Sequence, residues 1–393
     1  MSRLEELIAE LCPDGVEYRA LTEIGTLTRG KRFVHADVVD EGIPCIHYGE
    51  LYTYYGIWTN KTKSCVSPSL SSKLRYAQKN DVIIVGAGEN NIDIGIAVAY
   101  LGDDPIAVHD ACYILKHNID SKYISYCLRT DSYHNQIKKY VSSGKICAIS
   151  AEGIGKAVIP VPPLPVQNEI VRILDNFTEL TAELTAELTA ELTARKKQYG
   201  YYRDQLLTFG EDVPFKTLNE ISDNCDRQRK PVTRSQREAG VYPYYGASGI
   251  VDYVDQFIFD GEYLLISEDG ANLLARSMPI AFSISGKTWV NNHAHILKFH
   301  SREMRRFIEI YLNSIDLSRY ISAAAQPKLT QDNLNRIPIP VPQFENVKRI
   351  VTILDRFDTL CSDITTGLPA EIAARQKQYE SYRDKLLTFK ALA

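Results

Sequence analysis

The chain is one plan written twice. Shifted by 180 positions, Ile159-Pro160-Val161-Pro162 falls on Ile339-Pro340-Val341-Pro342. Without a gap, Ile170, Val171, Ile173, Leu174, Asp175 and Phe177 then meet Ile350, Val351, Ile353, Leu354, Asp355 and Phe357. Still in register, Arg195–Phe209 overlays Arg375–Phe389 with eleven of the fifteen positions identical. Chance does not supply such a match, and a chain that repeats itself builds the same unit twice. The 393 residues allow two globular domains plus connecting elements.

The segments ahead of these blocks correspond more loosely. Val16–Ile24 resembles Val213–Ile221, Tyr48-Gly49 pairs with Tyr245-Gly246, Asp81–Val85 with Glu262–Ile266, and Ile114–Lys116 with Ile296–Lys298. On this alignment the first copy carries 16 extra residues, centred on Leu51 to Asn80. The order is therefore variable domain, near-identical block, variable domain, near-identical block. One frame presents two different heads.

Each block opens on Ile-Pro-Val-Pro, an extended lead that cannot continue a preceding helix. Apolar residues then recur at Ile170, Ile173, Leu174, Phe177, Leu180, Leu184, Leu188 and Leu192, the spacing of one helix face. The second copy repeats the stripe at Ile350, Ile353, Leu354, Phe357, Leu360, Ile364, Leu368 and Ile372. Each helix is expected to run for roughly 40 residues, about 60 Å. Two matching stripes can bury against each other, and with domains between them antiparallel pairing is the natural solution. Thr-Ala-Glu-Leu repeats three times from Thr181 to Leu192. Its period makes the leucine stripe creep about 40° around the axis per repeat. The Glu ladder ends with Glu191 four residues before Arg195, a favourable pair. One repeat adds about 6 Å, close to two base-pair steps of roughly 3.4 Å, so the segment can act as a ruler. The second copy reads Thr366-Gly367-Leu368-Pro369 here, which predicts a kink or short break.

Hydrophobic content of 45% and charged content of 24% suit a chain able to bury a core. The cysteines form no Cys-x-x-Cys pair and no zinc-finger spacing with histidine, so metal sites are not expected and free cytosolic thiols are. There is no apolar signal segment at the N-terminus and no run of about 18 apolar residues, which points to a cytoplasmic protein without a membrane partner. A net charge of −4 argues against nucleic acid coating the whole surface. Local basic faces remain: Arg29, Lys31 and Arg32; Lys61 and Lys63; Lys138, Lys139 and Lys145; and Arg227, Arg229, Lys230, Arg234 and Arg237.

Pro160–Gln167 followed by a long helix ending in Arg195–Phe209, with the second copy's Leu368–Ile372 and Arg375–Leu387, resembles the specificity subunits of type I restriction–modification systems. The resemblance covers the whole architecture and is specific in the helical blocks. It implies an α+β chain in which two mixed α/β target-recognition domains are joined by two long antiparallel, coiled-coil-like helices, with an internal pseudo-twofold repeat. The expected segments are residues 1–158 and 210–336 for the recognition domains, and 159–209 and 337–393 for the Pro-rich leads with their helices. It further implies that each domain reads one half of a bipartite, asymmetric site on double-stranded DNA. The paired helices set the unread spacer and dock two modification (methyltransferase) subunits, and restriction/translocase subunits complete the complex. The chain is then non-catalytic, with S-adenosylmethionine, ATP and Mg expected on those partners and no cofactor of its own.

Half-sites about one turn apart lie some 34 Å centre to centre, a span such helices bridge. Each domain must present a few side chains to base edges and more to phosphates. The candidates in the first domain are Arg29, Lys31, Arg32, Tyr48, Glu89, Asn90, Asn91 and Lys145. Ser142–Lys145 is similar to the family's small-residue loop, and its counterpart is Ala323–Lys328, which adds Gln326 and Lys328. The second domain's strongest basic segment, Asp226–Arg234, adds Arg227, Arg229, Lys230 and Arg234. Arginine grips guanine bidentately, and Asn or Gln adenine. On the helices, Arg195, Lys196, Lys197, Tyr199 and Arg203 with Arg375, Lys377, Tyr379 and Arg383 form the candidate docking face. Tyr202 and Tyr382 are as well explained by packing against the opposite helix.

Two rival readings fit the residues less well. Val82–Gly88 looks like a strand entering a nucleotide-binding turn, but Asn91 stands where the third glycine belongs and Ile92–Tyr100 reads as another strand. The second copy has Ser267-Glu268-Asp269-Gly270 in the same place. No Asn/Asp-Pro-Pro-aromatic or Walker lysine motif occurs, and His109, His293 and His295 are expected to be structural. A plain coiled-coil scaffold with two protein-binding adaptors explains the helices but not the divergent, arginine-bearing domains.

Overall fold

The computed structural model describes residues 2–322, 326–363 and 366–392. Ile364 of the second apolar stripe and Ala323, Ala324 and Ala325 of the second small-residue loop lie outside the described residues. The chain divides into two units, Met1–Glu187 with Ile372–Ala393, and Leu188–Glu371. This is not the linear division expected from the sequence: each unit holds one recognition domain together with helix segments from both blocks.

The first block's helix runs unbroken over Leu164–Leu206, 43 residues, or about 65 Å. Along its repeats Leu180 is 60% exposed, Leu184 half-buried, Leu188 only 8% exposed and Leu192 half-buried again. That is the expected creep of the leucine stripe into and out of contact. The second block is two helices, Phe344–Ser362 and Leu368–Leu386, so the predicted break is present. Gly367 lies in it, and a Cβ there would sit 2.6 Å from the Thr359 carbonyl oxygen. Pro369 occupies the first turn of the new helix, where its missing N–H costs nothing.

Within each unit the helix segments pack antiparallel. In the first, Phe177 stacks on Tyr382, and the neighbouring Thr178 hydroxyl lies 2.9 Å from that of Tyr379. In the second, Phe357 packs against Tyr202 and Tyr199. Each domain is fastened to its lead helix at the equivalent aspartate: Lys122 reaches Asp175 at 2.7 Å, and Arg306 reaches Asp355 at 2.7 Å. The Pro-rich leads are extended as expected. Val158–Pro160 pairs antiparallel with Tyr18–Ala20, and Ile339–Pro340 with Phe215–Lys216.

Among the described residues the first domain has a five-stranded sheet in the order Gly25–Arg29, Cys112–His117, Val82–Val85, Ala97–Tyr100, Trp58–Thr59. Val82–Val85 and Ala97–Tyr100 are buried throughout, as an unbroken apolar run requires. A second sheet, built in part from the extra segment, contains Ile43–Ile46 paired parallel with Ile106–Val108. The second domain's sheet has the order Asp223–Asn224, Ala294–Lys298, Phe259–Ser267, Ala281–Val290, Ala239–Gly246, Gly249–Val254.

Strand register corrects two sequence pairings. Ile114 lies opposite Ile83, and Ile296 opposite Leu265, so Ile83 matches Leu265 and not Leu264. A slip of one residue exchanges the faces of a strand, and two all-apolar runs give no alternation to reveal it. The His109 N–H donates to the Ile46 carbonyl and the Asn291 N–H to that of Tyr245, so Tyr245 is equivalent to Ile46 and not to Tyr48. The gap beside the extra segment hid this offset. The strand expected over Ile92–Tyr100 is shorter, because a turn through Gly95 delays it to Ala97.

Candidate nucleic-acid interface

One end of each domain gathers its candidate residues around a short turn. In the first domain the turn is His109–Ala111. The Ala111 carbonyl accepts the N–H groups of Gly86 and Ala87, and Ala87–Gly88 pairs with Cys147–Ala148. This brings the exposed loop of Glu89, Asn90 and Asn91 beside the exposed loop of Lys145. On the other side the Lys31 N–H donates to the Val108 carbonyl at 2.9 Å, and the Arg29 guanidinium donates to the Asp110 carbonyl at 2.6 Å. Lys31 and the neighbouring Arg32 are both exposed. Tyr48 stands against the turn through His47, whose ring lies 4.4 Å from that of His109. Burial holds both imidazoles below their usual range, and the His109 Nδ1 accepts the Ala111 N–H at 3.1 Å. The neutral ring thus caps the turn.

The second domain repeats this frame around Asn291–His293. The Asn291 side chain accepts the His293 N–H at 2.8 Å, as His109 does for Ala111. The Lys230 N–H donates to the Val290 carbonyl, so Lys230 stands where Lys31 stands in the first copy. Asp269 bridges to Lys328 as Ala87 does to Ala148, and Ser322 bridges to Lys328 as Ser142 does to Ala148. The loop pairing expected from sequence therefore holds as a segment, but Lys328 matches Ala148 and not Lys145.

Not every candidate offers a surface. Arg229 is half-buried and committed to the fold: its guanidinium binds Glu268 at 2.7 Å, the Ala294 carbonyl at 2.7 Å and Asp226 at 3.4 Å. Its expected place among the DNA-facing cations is corrected accordingly, since this arginine holds the basic segment on the sheet. Arg227, Lys230 and Gln326 are exposed. Arg234 is exposed too, but near Asp252 of the hairpin Ala239–Val254, whose carboxyl it helps lower after Arg237 and the Tyr253 N–H. His295 is buried, its ring between Asp226 at 2.6 Å and the Leu329 carbonyl at 2.8 Å. His293 was expected to be structural as well, yet its side chain is 48% exposed. Sequence reasoning missed His47 and the exposure of His293, because only the turn geometry brings them to the tip, whereas His109 is structural as expected.

On the helices Lys196, Lys197, Arg375 and Lys377 are exposed. Arg195 pairs with Glu191 at 3.3 Å, as its spacing predicted. Three members of the expected docking face are instead engaged in packing. Tyr199 and Tyr379 are half-buried against Phe357 and Thr178, and Arg383 is 8% exposed and paired with Asp384. Arg203 is half-buried on Asp204. Tyr202 and Tyr382 pack on the opposite helix, against Phe357 and Phe177, yet stay partly open at 39% and 47%. No helix among the described residues is long and apolar enough to cross a membrane.

Comparison with known proteins adds a family to this geometry. The family model described as the type I restriction modification DNA specificity domain matches residues 13–194 and again 210–374. The chain is 37% identical over 272 residues to the type I restriction enzyme EcoprrI specificity subunit of Escherichia coli, covering 65% of this chain and 66% of that one. It is 39% identical over 187 residues to a Haemophilus influenzae protein named for the same kind of subunit, covering 47% and 48%. The matches thus span from about half to two thirds of these relatives' lengths. A chain solved in a study of complex assembly and conformational transition of the type I R-M system superposes with a TM-score of 0.69 at 15% identity, covering 96% of this chain and 98% of that one. The HsdS subunit from Thermoanaerobacter tengcongensis gives 0.55 at 15% identity, covering 96% and 97%. At such identity these two likenesses establish the fold.

Proposed function

The chain belongs to the family of type I restriction–modification DNA specificity domains, and from that premise we propose that it reads a bipartite duplex site, one half with each tip. The observation that carries this reading is the equivalence of Lys31 and Lys230. Each is an exposed cation held by its backbone on the carbonyl of an equivalent valine, Val108 or Val290. Around each cation the tips differ. The first offers Glu89, Asn90, Asn91 and Tyr48, and the second Arg227, Gln326 and Lys328. A repeated phosphate-facing cation beside unlike side chains is what reading two different half-sites from one frame requires.

In this proposal the helical blocks set the unread spacer and carry two modification subunits, and restriction/translocase subunits join them. Methyl transfer with S-adenosylmethionine, and translocation with ATP and Mg, are the work of those partners. This chain supplies specificity and no chemistry, in the cytoplasm where its DNA lies.

The test is a salt-titrated binding assay of the chain with its modification subunits on duplexes carrying and lacking the site found by methylation mapping. Binding should weaken steeply with salt and distinguish the two duplexes. Binding indifferent to both salt and sequence would sink the reading and leave a protein-binding scaffold.

A further inference from the structure

The two tips share a backbone frame closely enough to be compared position by position. Cys112 lies opposite Val85 and Ala294 opposite Ser267, so Gly86 and Ala87 are equivalent to Glu268 and Asp269, and Ala111 to His293. The hydrogen bonds agree. The Ile149 N–H donates to Gly86 and the Leu329 N–H to Glu268, while Gly86 and Glu268 donate to the carbonyls of Ala111 and His293. The β-bridges Ala87–Ala148 and Asp269–Lys328 complete the match.

On this common frame the first copy carries Gly86, Ala87, Ala111 and Ala148, with no functional group among them. The second carries Glu268, Asp269, His293 and Lys328. Glu268 is absorbed by Arg229, and the other three form a surface cluster. The His293 Nδ1 lies 2.9 and 3.0 Å from the two oxygens of Asp269, whose side chain is 9% exposed. Lys328 Nζ lies 4.0 Å from Asp269 and is 47% exposed. The frame needs none of these side chains, because the first copy builds it with glycine and alanine.

We infer that His293 and Lys328, oriented by Asp269, determine which base pair the second tip accepts within its half-site. The inference rests on the proposed reading of duplex DNA and adds the residues that discriminate. Asp269 takes the Nδ1–H and so fixes the plane of the imidazole, which leaves the Nε2 edge for a ligand. The Lys328 ammonium has donors only, so the complementary partner is an acceptor on the duplex. That acceptor is the O6 or N7 of guanine, the N7 of adenine or the O4 of thymine if the contact is to a base edge, or a phosphate oxygen if it is to the backbone. The first tip, with a bare floor at these positions, must read through Glu89, Asn90, Asn91 and Tyr48 instead.

The experiment uses the full chain assembled with its modification subunits. A duplex library randomised across both half-sites is selected by wild type and by His293→Gln, Lys328→Gln and the double variant, with melting temperature checking the fold. Base-edge contact predicts that the preference relaxes at one or two positions of one half-site. The other half should be unchanged, and affinity for the original site should fall about ten- to hundredfold. An even loss of affinity on all sequences, with preference intact and a shallower salt dependence, assigns the cluster to phosphate and overturns its role in discrimination. So does an unchanged library result. Should a glutamine variant melt early, Lys328→Arg, which keeps the charge and changes the reach, must shift the preference or the inference fails. A wild-type complex that selects no sequence would instead defeat the reading of function itself, a result distinct from any of these.

Discussion

Phe177 stacks on Tyr382 with ring centroids 6.0 Å apart and planes 3° from parallel, while both rings stay exposed at 40% and 47%. The other unit holds the same contact between Phe357 and Tyr202, at 5.8 Å and 31°, with Tyr202 39% exposed. An open aromatic pair costs apolar exposure that packing alone would not require, and aromatic residues are what protein interfaces bury at their centres. Duplicated on one chain, such a pair suits two copies of one partner.

On the proposed function, with two modification subunits carried, replacing Phe177 by Ala should reduce the number bound from two to one, and Phe357→Ala should do the same. The double variant should bind neither. The stacking lost within the chain is worth about 1 kcal/mol, too little to unfold a unit. Native mass spectrometry of the assembled complexes reads the stoichiometry directly, and two subunits on the double variant would remove the pair from the interface.

The second unit should be acid-sensitive through Asp226. Burial pushes this carboxyl up, but the bonds from His295, the Ile296 N–H and the Arg229 charge prevail and lower it below 3.8. A carboxyl depressed in the folded state stabilises the fold above its unfolded value, and that contribution disappears as pH falls through the folded one. Melting of the second unit should thus drop below about pH 4. Asp226→Asn takes the carboxylate from His295 and the longer of its two ion pairs from Arg229, which keeps Glu268, and should cost about 1–3 kcal/mol at neutral pH, with a flatter response to acid. Thermal melts from pH 7 to 3 compare the two proteins, and parallel curves would rule the linkage out.

Lys31→Ala and Lys230→Ala should behave alike although they lie in unrelated sequence. Each should weaken binding to every duplex by a similar factor, and each should lower the slope of log affinity against log salt by about 1. The half-site sequences should not change. A selective loss on one base pair would mean that the residue reads a base and does not anchor the backbone.

The helical blocks were legible because their information is local. The stripe at Ile170, Ile173, Leu174 and Phe177, the drift of the Thr-Ala-Glu-Leu leucines and the break before Pro369 follow from helix geometry alone. The partition into units was not, because it depends on which half of the Leu164–Leu206 helix meets which segment of the second block. In the domains, the uniform apolar runs Val82–Val85 and Tyr263–Ile266 carry no alternation, so register was off by one. Lys31 and Lys230 were found as charges, yet their equivalence is a matter of backbone hydrogen bonds to Val108 and Val290. Arg229 and His293 exchanged roles for the same reason. Whether a side chain faces a carboxylate or the solvent is decided across strands, by Glu268 and Asp269 far along the chain.

The repeat makes the strongest quantitative claim. Each Thr-Ala-Glu-Leu unit adds four residues to an unbroken helix, hence about 6 Å or close to two base-pair steps. Along the Leu180 to Leu192 series burial rises to Leu188 and declines again, so the repeat leucines do not form one continuous buried seam. Removing Thr185–Leu188 keeps the following Arg195–Leu206 stretch helical while rotating it by about 40°. The shortened chain should prefer a spacer shorter by one or two base pairs, with both half-sites intact, because neither tip has been touched. Methylation mapping in cells expressing each version measures spacer and half-sites together. An unchanged spacer would show that the helix length does not set the distance, and an altered half-site would show that the recognition domains are not independent of the helix.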